Sequence, residues 1–148
     1  MTNPKKNLIL VGGGGFSLEI YSYLLDEINK NTLVDIKIKG VLDSIRECEL
    51  RQYHPEVDYL GDIPSYIVKE GDFALIASGN SISRRDIAIQ LTKLSLPLYS
   101  YIHSSAYVSL NAVLGRGVFV GPHSIVSAHS YISDNVALNV YSGVGHGA

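Results

Sequence analysis

Residues 102–148 read IHSSAYVSLNAVLGRGVFVGPHSIVSAHSYISDNVALNVYSGVGHGA. Every sixth residue is a branched aliphatic: Ile102, Val108, Leu114, Val120, Val126, Ile132, Leu138 and Val144. Leu, Ile and Val make up 45 of the 148 residues, so eight in phase arise by chance about once in ten thousand trials. Four residues after each aliphatic come Ala106, Ala112, Val118, Ser124, Ser130, Val136, Ser142 and Ala148, all small or short-branched. A period of six cannot stay on one face of a helix that turns every 3.6 residues. A sandwich needs alternation along longer strands. The pattern suits a parallel β-helix, in which three short strands complete a triangular coil. The aliphatic side chains then stack along the axis, and the small ones fit where the cross-section is tight.

Upstream of residue 100 the periodicity is different. Short apolar runs alternate with amphipathic stretches, the pattern of strands and helices in turn. Residues 7–11 (NLILV) read as a buried strand and GGGG at 12–15 as a tight turn. A helix follows over 17–28, with Ile20, Leu24 and Ile28 on one face. Residues 36–42 and 72–78 read as two further strands, 45–60 as irregular, 84–94 as a helix and 98–102 as a closing strand. The expectation is β-α-β-β-α-β, an open α/β sheet over residues 1–100, with a β-helix domain over 101–148. Glycines after a strand let backbone approach an anion, and the next helix offers unpaired N–H groups at its positive end. Against G-x-G-x-x-G/A, Gly12 and Gly14 fit but Ser17 stands third, and Asp43 lies further on than the usual spacing of about twenty residues. On residues alone, the glycines are read as a phosphate cradle, with a tight strand-to-helix turn as the alternative.

The formal net charge of −2 and the scattered Lys and Arg residues give no electrostatic footprint for nucleic acid. The single Cys48 excludes an intramolecular disulfide and fits a reducing cytoplasm. The apolar run at 8–11 is too short for a signal peptide, and no stretch is long enough to span a membrane.

LILVGGGGFSLEI at 8–20, GVLDS at 40–44, FALIASGN at 73–80 with Arg84 and Arg85 after it, IHSSAYVS at 102–109 and VALNVYSGVGHGA at 136–148 together carry a family resemblance. The chain resembles the bacterial sugar acetyltransferases of the sialic acid O-acetyltransferase type, whose relatives N-acetylate UDP-4-amino-sugars for surface glycan synthesis. The resemblance implies a Rossmann-like parallel sheet followed by a left-handed parallel β-helix of hexapeptide repeats, assembled as a homotrimer. It implies acetyl-CoA as cosubstrate between subunits, no metal, and a cytoplasmic enzyme. It carries Gly12, Gly13, Gly14, Gly15, Phe16, Asp43 and Asn80 over as positions that bind a nucleotide-linked amino-sugar or sialic-acid-like substrate, with Asp43 near the nucleoside. The family's base is a histidine seven residues after an asparagine. Asn139 and His146 match that spacing, so His146 is expected to take the proton of the attacking amine or hydroxyl and Asn139 to orient the sugar. Histidine exchanges protons near neutral pH, which suits this step.

The chain departs from the family at three points. The residue after the histidine is usually acidic, and here it is Gly147. Many relatives carry a histidine where this chain has Phe16. Relatives also continue for several further coils, so the chain is expected to be truncated, a reading that extending the frame past Ala148 would test. His103, His123 and His129 are expected to face solvent, with the 123–129 spacing read as the repeat period and not as a metal signature, His54 to lie in an irregular loop, and the tyrosines to line a core rim or a domain interface. Two other functions fit parts of the pattern. A nicotinamide-dependent enzyme would use the glycine turn, and a non-catalytic sugar-binding or trimerising remnant would need neither His146 nor its missing acid.

Overall fold

The structure is a computed structural model describing residues 3–148. It divides into two compact units, Met1–Leu98 and Tyr99–Ala148.

The first unit runs β1 (Lys6–Val11), α1 (Gly15–Asn29), β2 (Ile36–Leu42), α2 (Glu49–Tyr53), β3 (Asp72–Ile76) and α3 (Ser81–Lys93). The three strands form a parallel sheet in the order β2-β1-β3. Leu8, Ile9, Leu10 and Val11 on central β1 are almost completely buried, as a strand covered on both faces requires. Leu91 of α3 is buried with Ile9, Val11, Ala74 and Ile76. Ile20 and Leu24, four residues apart on α1, are fully buried. Each such side chain contributes about 1.5–3 kcal/mol relative to exposure. Beside this apolar core lies one ionic cluster. Lys39 Nζ donates to Asp72 Oδ1 and to the Tyr66 hydroxyl, both at 2.8 Å. Tyr66 OH donates to Asp72 Oδ2 at 2.6 Å, and the Lys69 N–H reaches the same oxygen at 2.9 Å.

Two elements differ from the sequence expectation. Residues 45–60 are not wholly irregular, because they contain the short helix α2, whose five residues are too few to show a helical period. The closing strand over 98–102 divides in two. Leu98 makes a single parallel bridge to Ala74, whereas the N–H groups of Tyr101 and His103 donate to Val118 and Val120 carbonyls at 2.9 Å. Those amides belong to the second unit's ladder and are not available to the sheet.

The second unit is a parallel coil of two-residue strands: β4 (Tyr101–Ile102), β5 (Tyr107–Val108), β6 (Val113–Leu114), β7 (Phe119–Val120), β8 (Ile125–Val126), β9 (Tyr131–Ile132), β10 (Ala137–Leu138) and β11 (Gly143–Val144). Each strand pairs in parallel with the one 18 residues on, Tyr101 with Phe119 and Phe119 with Ala137. The same holds for β5-β8-β11 and for β6-β9. Three hexads therefore complete one turn. In the middle coil Val120 and Val126 are fully buried and Ile132 is 5% exposed, while Ile102 at the first layer is 43% exposed. The expectation that every sixth residue is enclosed thus holds at Val120, Val126 and Ile132 and relaxes away from them, where Val108, Leu114, Leu138 and Val144 are half-buried and Ile102 is exposed. At the tight positions Ser124 and Ser130 are fully buried, and their hydroxyls donate to the Asn139 and Ser127 carbonyls at 2.7 and 2.6 Å.

The corners between strands obey a rule that the apolar pattern does not contain. Gly117, His123, His129, Asn135, Tyr141 and Gly147, again six apart, all have positive φ, between 57° and 70°. Glycine adopts this left-handed conformation freely, whereas a residue with a Cβ pays about 1–2 kcal/mol.

Candidate functional site

The glycine turn joins β1 to α1 and opens on the carboxyl edge of the sheet. Gly12, Gly13, Gly14, Gly15, Phe16, Asp43 and Asn80 line one cleft of about 410 Å³, together with Ala77, Ser78, Gly79, Ser83 and Ile87. The walls come from the chain after β1, β2 and β3, with β1 and β3 adjacent in the sheet. A crevice beyond the carboxyl ends of parallel strands, where the chain departs in opposite directions, is where open α/β sheets bind ligands. A second lobe of about 370 Å³ shares Gly12, Asp43 and Ile87 and adds Ser44, Asp62, Ile63, Pro64 and Gln90. Asp62, Ile63 and Pro64 escaped the sequence reading, since they lie in a connecting segment without period.

Local chemistry shapes this cleft. Asp43 Oδ2 accepts the Gly13 N–H and Oδ1 accepts the Ile45 N–H, each at 2.8 Å. Its carboxylate therefore ties the end of β2 to the glycine turn. Gly13 has a structural reason to be glycine, because a Cβ there would lie 2.8 Å from Cys48 Cβ and overlap its sulfur. Gly14 has none of this kind, for a Cβ would meet nothing within 4 Å. Phe16 packs its ring against Gly79. Asn80 caps α3, its Oδ1 accepting the Ser83 N–H at 3.0 Å. The guanidinium of Arg84, almost completely buried, donates to the Ile76 and Ser78 carbonyls at 3.0 and 3.1 Å and so fixes the wall after β3. Burial pushes its pKa down to about 10. Lys and Arg are absent from the residues lining either lobe. An anion here would rest on backbone dipoles, and α1 begins without a capping side chain.

In the second unit Asn139 and His146 occupy successive corners, after β10 and after β11. Both are exposed. Asn139 Oδ1 accepts the Val140 N–H at 3.0 Å, which directs its NH₂ group to solvent as a donor. The structure records no contact between Asn139 and His146, and no partner for the His146 ring among the described residues. Gly147 holds a left-handed corner with φ of 70°, and a Cβ there would meet open space. His123 and His129 are exposed and His103 is half-buried. His103 Nδ1 accepts the Ser105 N–H at 3.0 Å and pairs with Ser105 Oγ at 2.7 Å. The His123 N–H donates to the same Oγ at 3.0 Å, and the His123 ring stacks on Tyr141 with centroids 5.1 Å apart. Among the described residues no group of three His, Cys, Asp or Glu side chains is placed to hold a metal, and no helix is long and apolar enough to cross a membrane.

Solved structures with a similar fold include the acetyltransferase domain of PglB from Neisseria gonorrhoeae, with TM-score 0.79 and 23% identity, covering 97% of this chain and 66% of that one. The same domain in complex with acetyl coenzyme A matches with TM-score 0.78 and 24% identity. Perosamine N-acetyltransferase from Caulobacter crescentus, as a mutant in complex with CoA and GDP-perosamine, matches with TM-score 0.75 and 20% identity, covering 97% of this chain and 65% of that one. The chain has the fold of these acetyltransferases. An uncharacterised protein of Acanthamoeba polyphaga mimivirus is 25% identical over 134 residues, which are 90% of this chain and 25% of that protein. The chain thus spans about two thirds of the length of the solved structures and a quarter of the viral protein. No protein-family model matches it.

Proposed function

We propose that this chain belongs to an acetyl-CoA-dependent sugar acetyltransferase that modifies a nucleotide-linked sugar for surface glycan synthesis. The observation that carries this reading is the shared architecture with proteins solved with acetyl coenzyme A and with CoA and GDP-perosamine. The first unit is Rossmann-like, and its cleft holds the nucleotide-linked end of the acceptor against the N–H groups of the glycine turn. The second unit is a left-handed β-helix of the sialic acid O-acetyltransferase type. Its acceptor is an amino-sugar or sialic-acid-like compound, and the reaction runs in the cytoplasm.

The chemistry asked of the second unit is acyl transfer without a covalent enzyme intermediate. The acceptor nitrogen or oxygen attacks the thioester carbonyl, forming the new C–N or C–O bond. His146 takes the proton that the nucleophile loses, and the C–S bond breaks. The departing CoA sulfur then recovers that proton from the imidazolium. Asn139, with its NH₂ group directed to solvent, orients the acceptor by donating to a sugar hydroxyl.

Release of the CoA thiol, followed while acetyl-CoA and a panel of GDP- and UDP-linked 4-amino-sugars are supplied, tests this reading. His146→Ala is expected to lower kcat by about 10²–10⁴-fold, the usual contribution of a general base. An undiminished rate in that variant removes the assignment of the base, and no acetylation of any sugar removes the function.

A further inference from the structure

Tyr141 and His123 are two of the four non-glycine residues at the left-handed corners of the coil, with His129 and Asn135, and they are the two whose rings stack. Tyr141 nevertheless leaves 77% of its surface in solvent, so burial repays little of the backbone cost. The two rings are stacked at an interplanar angle of 17°, and they are held in place from below. Ser105 Oγ accepts the His123 N–H and bonds His103 Nδ1, while the Tyr141 N–H donates to the Pro122 carbonyl at 3.1 Å. His103 accepts the Ser105 N–H through Nδ1, which puts its own ring proton on Nε2 in the neutral form. The result is a rigid flat surface that exposes aromatic area in a fixed orientation. Tyr141 also shares its corner with Asn139, two residues away, whose NH₂ group is an unused donor.

We infer that His123 and Tyr141 form a ring platform for the pyranose of the acceptor, with Asn139 donating to a hydroxyl of the same sugar. One face of a pyranose presents C–H groups, which suit the negative face of an aromatic ring, and its edge presents the hydroxyls that Asn139 can meet. A preorganised platform loses little freedom on binding. The inference deepens the acetyltransferase reading, on which the choice of a sugar as occupant rests. An adenine ring is the competing occupant, because it too stacks on flat aromatic surfaces.

Saturation-transfer NMR on the full chain distinguishes these, with methyl 4-amino-4,6-dideoxyhexopyranosides as the sugar probes and AMP as the adenine probe. The expected result is saturation of the sugar's ring C–H protons that falls about fivefold or more in Tyr141→Gly and is retained in Tyr141→Phe. Glycine relieves the left-handed corner, so the variant's thermal midpoint should not fall. Sugar saturation that is absent in the parent chain or unchanged in Tyr141→Gly overturns the platform, and so does saturation of adenine protons in place of the sugar's. Acetyl transfer is read separately. Tyr141-dependent sugar binding without turnover sustains the platform and removes the enzymatic reading, whereas turnover with an unchanged acceptor KM in Tyr141→Gly does the reverse.

Discussion

The Asp72 side chain has no exposed surface, yet it sits at the start of a strand as an ion. Burial alone would push its carboxyl upward, but hydrogen bonds from Lys39, Tyr66 and the Lys69 N–H outweigh that and hold it below the ordinary aspartate value. Burial likewise depresses Lys39, while its bonds to Asp72 and Tyr66 leave it above the ordinary lysine value. Because Asp72 is lowered on folding, its contribution is present above the unfolded aspartate pKa and is lost as pH falls through the folded one. Lys39 is raised, so its contribution is present below the unfolded lysine pKa and fades as pH rises through the folded one. The cluster therefore stabilises the sheet across the neutral range. Asp72→Ala, which leaves the Lys39 ammonium without its anion, should cost about 3 kcal/mol at pH 7. Urea midpoints measured at pH 7 and again near pH 2–3 check this, with the gap between parent and variant closing in acid. None of this was legible beforehand, for Lys39 and Asp72 are separated by 33 residues and meet only through the β1 register.

Among elements, the glycine turn and the coil respond differently to small changes. Gly13→Ala drives a methyl group into Cys48, whereas Gly14→Ala places one in open space. The first should lower the thermal midpoint of the first unit and weaken binding of a nucleotide probe such as GDP about tenfold. The second should change stability by less than about 0.5 kcal/mol. Calorimetry and titration of the two variants side by side would separate a cradle from a mere turn. In the coil, Val120→Ala opens a void in the fully enclosed middle layer and should cost about 2 kcal/mol, while Ile102→Ala at the first layer should cost about half as much. Denaturant unfolding of both variants reads the difference. The coil was the most legible element, because each inward aliphatic declares itself once per hexad. The corners were not, since the left-handed positions are filled by Gly, His, Asn and Tyr, which share a backbone conformation and no side-chain property. The sheet was legible in its three long apolar runs, and α2 was hidden by its brevity.

For the whole molecule, the outward faces of the coil pose the main question. Tyr107 and Ile125 form one exposed column, Val113 and Tyr131 another, and Leu110 is fully exposed between them. Apolar columns of this kind on a flat parallel surface suit association. A homotrimer packed through them is the proposed assembly, and light scattering after gel filtration should give three times the chain mass. Tyr131→Glu, which places a charge in the column, should shift that mass to one chain. The seven first-unit site residues read from the sequence meet at one cleft because β1, β2 and β3 end together. The acceptor platform went unseen because His123 and Tyr141 are neighbours only through the 18-residue ladder. That ladder also makes the coil's length a matter of phase, like the thread of a screw. Removing 18 residues from its interior would return every following side chain to its original compass bearing, one coil lower. Removing six would keep the core equally apolar yet turn Asn139, Tyr141 and His146 by a third of a revolution onto other faces. Between relatives, then, insertions of whole turns are compatible with a working corner, and insertions of single hexads preserve the fold while moving its chemistry elsewhere.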